Sequence, residues 1–278
     1  MDCQNHQHTC IAERHTRHIR SKSKFHHGFF RYCTEKAMMF TTSWDDGCKT
    51  DIRLANLLTE HDCTGTFYVC PKPQQQQYGK GMLTEEDIRS IAKHHEVGAH
   101  TLKHVHLTQI SQEHAREEIT RSKQWVEDVS GKPCTMFCYP YGEYDEQVRT
   151  FVKQAGFYGA RTTQVMQFTH NDPFALPTSL HLYPFPFRPV LNRRCLGPIQ
   201  RLFAPLHAIG IPLTSLRSWL PMAKALFKKA YESHQPWFHL WGHSWEIARH
   251  GLWKPLTQFL RFVHTHDNVQ YVPHSSLV

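Results

Sequence analysis

From Met38 onward, hydrophobic and polar positions alternate between short β-prone runs and longer segments with apolar residues at helical spacing. The β-prone runs lie in MMFTTSW, TGTFYVC, VGAH, TMFCYPYG, FYGARTT and WFHLWGHSW. The helical segments are IRLANLLTEH, LTEEDIRSIAKHH, QEHAREEITRSKQWVEDVSG, EYDEQVRTFVKQAG, LTSLRSWLPMAKALFKKAYESH and LWKPLTQFLRFVHTH. Strands that alternate with helices of this length predict a parallel sheet with crossover helices. We therefore expect an α/β fold of the open or closed (β/α) barrel type, with functional residues at the carboxyl ends of its strands.

Several of the predicted helices carry signals at their ends. Thr84 is followed three residues later by Asp87, which predicts a capping box at the start of a helix. Gly131 and Gly156 follow two amphipathic segments and predict where those helices end. Pro221 predicts either the start or an interruption of the basic helix that contains it.

Residues 1–36 and the stretch around 170–230 depart from this regular pattern. The first is rich in His and polar residues, and we interpret it as a disordered basic tail. Metal binding by this tail and a true start at Met38 or Met39 are the alternatives. The second stretch is rich in Pro and aromatic residues, which predicts an irregular surface insertion. We expect residues 37–278 to form a single catalytic domain that includes this insertion.

Composition restricts the class of protein. A hydrophobic fraction of 40% and an aromatic fraction of 12% over 278 residues are typical of a globular chain. No apolar run approaches the roughly 18 residues needed to cross a bilayer, and no secretory signal is readable. The nine cysteines are an odd number without a C-x-x-C pair, so we expect no disulfide framework and a reducing cytoplasm.

The formal charge of +8 is concentrated in two places. The N-terminal 36 residues carry seven Lys/Arg against three acidic residues, and residues 188–230 carry eight Lys/Arg and no acidic residue. Because both lie outside the regular core, we expect them to contact a partner rather than perform the chemistry. For residues 188–230 we predict contact with an anionic lipid or membrane surface, with a solvated basic helix as the alternative. We expect no nucleic-acid partner.

Residues with chemical potential follow three of the predicted strands. Asp45 and Asp46 follow the first strand, His100 and His104 follow the third, and His243 follows the last. One carboxylate and two imidazoles suit a hydrolytic metal site, while a second carboxylate can accept a proton from water. Each signal alone has an ordinary explanation, such as a turn, a chance pair among 23 His or a core His. Their common placement at strand ends favours a site.

The segment from Thr41 to about Thr163 resembles the catalytic domain of polysaccharide deacetylases, carbohydrate esterase family 4. T-S-W-D-D-G is similar to the family's T-F-D-D-G, the H-T-L-K-H run matches its H-S/T-x-x-H, and L-W-G-H-S-W-E resembles its last motif. The resemblance implies a seven-stranded, irregular or partly open barrel. It also implies roles for six residues: a general base (Asp45), metal ligands (Asp46, His100 and His104), an oxyanion-binding backbone N–H (Tyr141) and a general acid (His243). It implies Thr101 as a hydrogen-bonding support.

The sequence departs from the family pattern in two places. Where many members have the Arg of R-P-P-Y, this chain has Cys138 in C-Y-P-Y, so another basic group orients Asp45 or the base is held less tightly. The Asp-Trp pair that supports the acid is not found, although Glu246 follows His243 at a distance of three residues. His239 is an alternative acid, and Cys138 as a nucleophile is a less favoured reading. Trp245 is either a core residue or a wall of the sugar subsite.

These features lead to one leading function and two alternatives. We predict a metal-dependent hydrolase that removes an N- or O-linked acetyl group from a sugar of a polysaccharide, an oligosaccharide or a glycan precursor. The resemblance implies a divalent cation, with Zn²⁺ first and Co²⁺, Ni²⁺ or Mn²⁺ as alternatives. A second hypothesis is an amidohydrolase that acts on a small nitrogenous compound with the same site, and a third is a non-catalytic carbohydrate-binding homologue. We expect a cytoplasmic protein, peripheral to the inner membrane surface if the basic segment contacts lipid.

Overall fold

Parallel strands form the centre of the protein in residues 37–73 and 81–278, the part of the chain that the computed structural model describes. The strands are β1 Met38–Asp46, β2 Gly65–Val69, β3 Glu96–Ala99, β4 Met136–Cys138, β5 Gly159–Arg161, β6 Leu180–His181, β7 Trp237–Gly242 and β8 Val269–Tyr271. The helices are α1 Asp51–Thr59, α2 Glu85–Ile91, α3 Gln112–Ser130, α4 Glu146–Gln154, α5 Gly197–Ala208, α6 Trp219–Glu232, α7 Ser244–His250 and α8 Trp253–Val263. The predictions for the N-terminal tail lie outside the described residues.

The strand order confirms the predicted α/β fold. Seven strands lie in the order β5-β4-β3-β2-β1-β7-β6, and the short β8 pairs with β1 outside this path. The pairings between the named strands are parallel, as crossover helices require. The sheet forms a half-barrel with flanking helices, and its two end strands are β5 and β6.

The position of β1 explains its composition. It pairs with β2 on one side and with β7 on the other, so it is central, and eight of its nine residues are buried. Its Phe40 packs among aromatic rings of β7, α6 and α8, with ring centroids 6.2 Å from Phe238 and 6.1 Å from Phe227. Burying such a side chain contributes about 1.5–3 kcal/mol. This packing fixes β1, whose carboxyl end carries the two aspartates.

The helix signals in the sequence agree with the structure. Thr84 Oγ1 accepts a hydrogen bond from the backbone N–H of Asp87 at 3.2 Å, and the Asp87 carboxylate accepts one from the N–H of Thr84 at 2.7 Å. Gly131 ends α3 with a left-handed φ of 68°. The basic helix α6 begins at Trp219, so Pro221 lies in its first turn, where the missing N–H removes no helical hydrogen bond.

The sequence pattern did not predict two of the helices, α5 and α7. α5 contains Pro205 and buries only Leu206, so it has no continuous apolar stripe facing the core. α7 is seven residues long and follows directly from the loop after β7. Among the described residues, no helix has both the length and the apolarity to cross a membrane. The six cysteines in this part of the chain are all free.

Candidate active site

Asp46, His100 and His104 meet at the carboxyl ends of β1 and β3. Asp46 Oδ1 lies 3.8 Å from His100 Nε2 and 3.5 Å from His104 Nε2. The three donor atoms lie within 4.8 Å of one another. Thr101 Oγ1 accepts a hydrogen bond from the backbone N–H of His104 at 2.9 Å, which holds the turn between the two histidines. The structure therefore brings together the three residues that the sequence suggested as ligands.

Backbone strain marks the same residues. Left-handed φ angles occur at Asp46 (85°), Thr101 (62°), His104 (53°) and Tyr141 (59°), none of which is glycine. These are four of the eight non-glycine residues with positive φ in the described part of the chain. Such conformations cost about 1–3 kcal/mol each and persist where the surrounding structure enforces them, often at functional sites.

The chemistry of this group fits a divalent cation. Asp46 Oδ1 is buried and has no hydrogen-bond partner among the described residues. His100 Nδ1 lies 2.7 Å from the carbonyl oxygen of Cys138, a contact that leaves Nε2 as the acceptor facing Asp46. Burial lowers the pKa of His104 to about 4 and also lowers the pKa of His100, so both rings are neutral at pH 7. Neutral imidazoles and one carboxylate are suitable ligands for zinc and related ions.

Asp45 is held by an arginine that the motif comparison did not find. Arg161, the last residue of β5, donates from its guanidinium Nη2 to Asp45 Oδ2, and both side chains are buried. Burial alone would raise the pKa of Asp45, but the charges of Arg161 and the protonated His243 outweigh it, so the pKa lies below its ordinary value. Asp45 is therefore an ionised carboxylate with a fixed orientation. Arg161 is thus the basic group that contacts Asp45, beside Cys138.

Cys138 lies next to this ion pair. Its Sγ lies 2.8 Å from Arg161 Nη2 and 3.8 Å from Asp45 Oδ2. The thiol is 1% exposed, and burial raises its pKa well above the ordinary value despite the nearby guanidinium. A protonated, buried thiol is a poor nucleophile, which argues against the nucleophile reading.

His243 faces the aspartates from the end of β7 and is supported by Glu246. His243 Nδ1 lies 2.6 Å from Glu246 Oε2, and His243 Nε2 lies 3.8 Å from Asp46 Oδ2. Burial opposes protonation of His243, but the charge of Glu246 outweighs it and raises the pKa to about 10. Glu246 is only 7% exposed, so its carboxylate is buried against His243 rather than solvated. His181 adds a further contact, with Nε2 3.3 Å from Glu246 Oε2.

His239, the alternative acid, faces a different environment. Its Nε2 lies 2.8 Å from Ser43 Oγ, and its ring lies 4.3 Å from that of His274. It is fully buried, and burial lowers its pKa to about 3, so it holds no proton to give at neutral pH. Of these two histidines, His243 is the one that lies within 4 Å of an aspartate of the site.

Aromatic side chains border the site. The Tyr141 ring stacks on His106 with centroids 3.8 Å apart and meets the edge of His104 at 4.6 Å. Trp245 Nε1 donates a hydrogen bond to Asp46 Oδ2 at 2.9 Å, so this indole touches a candidate ligand. That contact occupies one oxygen of Asp46 and leaves Oδ1 facing the two histidines.

Sequence reasoning missed two residues of this site and one buried carboxyl near it. Arg161 lies in FYGARTT, where an arginine at the end of a β-prone run was the available signal. His181 lies in the irregular stretch, which offered no pattern. Asp51, the first residue of α1, is fully buried, and burial raises its pKa well above the ordinary value. Its place at a helix start made it look like an ordinary first-turn acid.

A family model described as polysaccharide deacetylase matches residues 32–160, a little under half of the chain. The matched segment contains both aspartates and the two histidines after β3, and it stops before Arg161 and His243. The family model thus covers the candidate metal ligands and Asp45, whereas Arg161 and His243 lie beyond the matched residues.

Solved structures with the same fold extend over most of the chain. A putative polysaccharide deacetylase from Mycobacterium smegmatis is 18% identical, with 87% of this chain and 89% of that chain covered and a TM-score of 0.58. The Xyl-CE4 domain of a multidomain xylanase from the hindgut metagenome of Trinervitermes trinervoides is 12% identical, with coverages of 87% and 90% and a TM-score of 0.53. A peptidoglycan N-acetylglucosamine deacetylase in complex with 4-naphthalen-1-yl-N-oxidanyl-benzamide is 15% identical, with coverages of 87% and 88% and a TM-score of 0.52.

One solved structure matches over a shorter range. A polysaccharide deacetylase from Bacillus cereus is 25% identical, with 49% of this chain and 45% of that chain covered and a TM-score of 0.43. This chain thus spans less than half the length of that protein.

Proposed function

We propose, from the premise that the chain belongs to the polysaccharide deacetylase family, that it is a metal-dependent hydrolase that removes acetyl groups from a sugar. The observation that carries this proposal is that two adjacent aspartates have different partners. Asp46 faces His100 and His104, whereas Asp45 is paired with Arg161. One carboxylate is thereby available to a cation and the other to a proton.

The candidate ligands of that cation are Asp46, His100 and His104, with Zn²⁺ as the first choice because the donors are one oxygen and two nitrogens. When bound, such an ion polarises an acyl carbonyl and lowers the pKa of water. Trp245 holds the second oxygen of Asp46, which restricts the rotation of the carboxylate.

In this proposal, Asp45 and His243 transfer the protons. Asp45 is ionised because Arg161 stabilises its charge, so it can accept the proton of the attacking water. His243 is protonated because Glu246 stabilises the imidazolium, so it can donate a proton to the leaving amine or alkoxide. Following the family resemblance, the backbone N–H of Tyr141 binds the oxygen that becomes negatively charged.

The proposed substrate is an acetylated carbohydrate, either an N-acetyl or an O-acetyl sugar of a glycan or a glycan precursor. A cytoplasmic location and contact of the basic segment with a membrane surface belong to the same set of predictions. The polar residues of the site do not favour amide over ester hydrolysis, since both pass through a tetrahedral intermediate.

Acetate release and metal content together test the function. The purified protein, loaded with Zn²⁺, is incubated with N-acetylated chitooligosaccharides, O-acetylated xylan and a cyclic ureide, and acetate and ring opening are measured. We expect acetate release that is lost in Asp45→Asn, while that variant keeps bound metal by elemental analysis. The Asp87→Asn variant, which alters an exposed helix cap, is the matched control. Ring opening without acetate release would identify an amidohydrolase, and metal binding without either reaction would indicate a non-catalytic homologue.

A further inference from the structure

The surface formed by residues 187–217 exposes an unusual concentration of large apolar side chains. Six of the eight exposed large hydrophobic residues in the described part of the chain lie there. They are Phe187, Val190, Leu191, Leu196, Phe203 and Leu213, and Leu191 is more exposed than any other in that group. Soluble proteins expose single apolar residues widely, but a cluster of this kind marks a surface that contacts something apolar.

The same surface is exclusively basic. Residues 187–217 contain five arginines and neither Asp nor Glu. The arginines are Arg188, Arg193, Arg194, Arg201 and Arg217. Exposed apolar side chains among basic ones, without acidic residues, form the pattern of a segment that lies in the interface of an anionic bilayer.

A comparison of α5, which lies within this region, with α6, which follows it, shows that the exposure is local. α5 buries only Leu206, and Phe203, Ala204 and Pro205 on it are exposed. α6, by contrast, turns its apolar side chains inward, with Trp219, Met222, Ala223, Leu226, Phe227 and Ala230 buried. The basic stretch 188–230 thus divides into α6, which turns its apolar face to the core, and a preceding part that anchors to the core through a few side chains such as Leu206, Ile211 and Leu216 and exposes others.

The exposed part adjoins the candidate active site. Pro189 and Val190 line a cavity of about 280 Å³ together with Trp245 and Glu246. Trp245 contacts Asp46, and Glu246 contacts His243. A membrane that contacts the 187–217 surface would therefore lie near Trp245 and Glu246, which contact the candidate site.

We propose that residues 187–217 dock on an anionic membrane surface, with Phe187 and Leu191 entering the boundary between headgroups and acyl chains. The five arginines then lie near lipid phosphates. A second copy of this chain fits less well, because a symmetric dimer through this surface would bring two sets of five arginines together. The proposal concerns binding only and holds whether or not the site hydrolyses acetyl groups.

Vesicle sedimentation tests the proposal with the full chain. The protein is mixed with vesicles of phosphatidylcholine alone or of phosphatidylcholine with phosphatidylglycerol, and the bound fraction is measured. We expect binding only to the vesicles that contain phosphatidylglycerol, and weaker binding at high salt. The Arg193→Glu/Arg194→Glu double variant should bind at least about 25-fold more weakly, since each basic residue at an anionic surface contributes about 1 kcal/mol, or about fivefold. Leu191→Ser should weaken binding by about tenfold or more.

Matched controls separate this surface from general charge and hydrophobicity. Lys93→Glu/Arg261→Glu makes the same charge change at exposed positions elsewhere, and Tyr158→Ser removes another exposed apolar side chain. Both should bind the anionic vesicles as the parent chain does, and all variants should share its unfolding temperature within a few degrees. Equal binding to both kinds of vesicle, absence of binding, or equal loss in the controls would overturn the proposal. So would a parent dimer that becomes a monomer in Leu191→Ser, which would assign the surface to a second copy.

Discussion

Arg161 at the end of β5 holds the carboxylate of Asp45 at the end of β1, although 116 residues separate them along the chain. Both side chains are buried, at 0% and 4% exposure, and the guanidinium also contacts Cys138. A buried charge that loses its partner is costly, so neither residue can change alone without consequence. The pair fixes both the charge and the direction of the candidate base.

Substitution of Arg161 should reduce turnover more than it reduces metal binding. In Arg161→Lys the positive charge remains, but the guanidinium whose Nη2 contacts both Asp45 Oδ2 and Cys138 Sγ is lost, so we expect acetate release to fall about 10²-fold through misplacement of the base. Bound metal should stay near the parent level, because the Arg161 guanidinium contacts Asp45 and Cys138 and none of the candidate ligands. The control is Arg149→Lys, which alters a surface ion pair with Asp172. An unchanged rate in Arg161→Lys would remove the positioning role.

Moving the guanidinium to the neighbouring strand should restore part of that loss. Cys138 Sγ lies within 4 Å of both members of the pair, so an arginine at position 138 can reach Asp45. We expect the Arg161→Ala/Cys138→Arg double variant to release acetate faster than Arg161→Ala. Thermal unfolding of both variants shows whether the difference reflects folding. Equal rates in two folded variants would contradict the rescue.

Glu246 should set the upper pH limit of activity through His243. The carboxylate raises the pKa of His243 to about 10, and an acid loses its proton as pH rises through its pKa. In Glu246→Gln the pKa falls, so the alkaline limb of kcat/KM should move down by about 1–3 pH units. Glu246→Asp should keep most of the shift, whereas Glu232→Gln, at an exposed ion pair with Lys228, should leave the profile unchanged. A lower rate with an unmoved limb would show that Glu246 is only structural.

Trp245 should affect metal affinity as well as substrate binding. Trp245→Phe keeps a flat aromatic ring but removes the hydrogen bond from Nε1 to Asp46 Oδ2. We expect metal affinity to fall about 10–100-fold, as is usual when a residue that orients a ligand is changed. Titration with Zn²⁺ against a competing chelator measures this, and Trp253→Phe serves as the control. If only KM changed, Trp245 would line the substrate site without holding the ligand.

The buried histidines behind the site should make folding sensitive to mild acid. Burial lowers the pKa of His239 to about 3 and that of His274 well below its ordinary value, so both stay neutral when folded. The unfolded chain binds these protons near its pKa of about 6.5, so stability is complete above that pH and is lost as pH falls below it. Together they should remove about 3 kcal/mol of unfolding free energy between about pH 7.5 and 5.5.

Chemical denaturation at several pH values measures that slope. His239→Gln should lower the loss of unfolding free energy over this pH range by about 1.4 kcal/mol, the share of one buried neutral histidine. His234→Asn, at an exposed position, should leave it unchanged. A slope in His239→Gln equal to that of the parent chain would show that protonation of this residue does not limit stability.

Much of the architecture could be predicted because it depends on local patterns. Eight of the nine residues in β1 are buried on a central strand, which explains its nearly continuous apolar and small character. The capping box at Thr84 and the left-handed Gly131 act within one helical turn, so their signals were readable. α5 could not be recognised, because it exposes its apolar side chains and so lacks a core-facing period.

By itself, the sequence determined the alternation of most strands and helices, without β6, β8, α5 and α7, and placed Asp45, Asp46, His100, His104 and His243 at strand ends, since these depend on short-range periodicity and spacing. Only the tertiary structure decided that Arg161 replaces the missing motif arginine, that Glu246 is buried against His243, and that His239 faces elsewhere. Such contacts form when separate strands converge at one edge of the sheet. They depend on side-chain direction and burial across long separations, which no local pattern records.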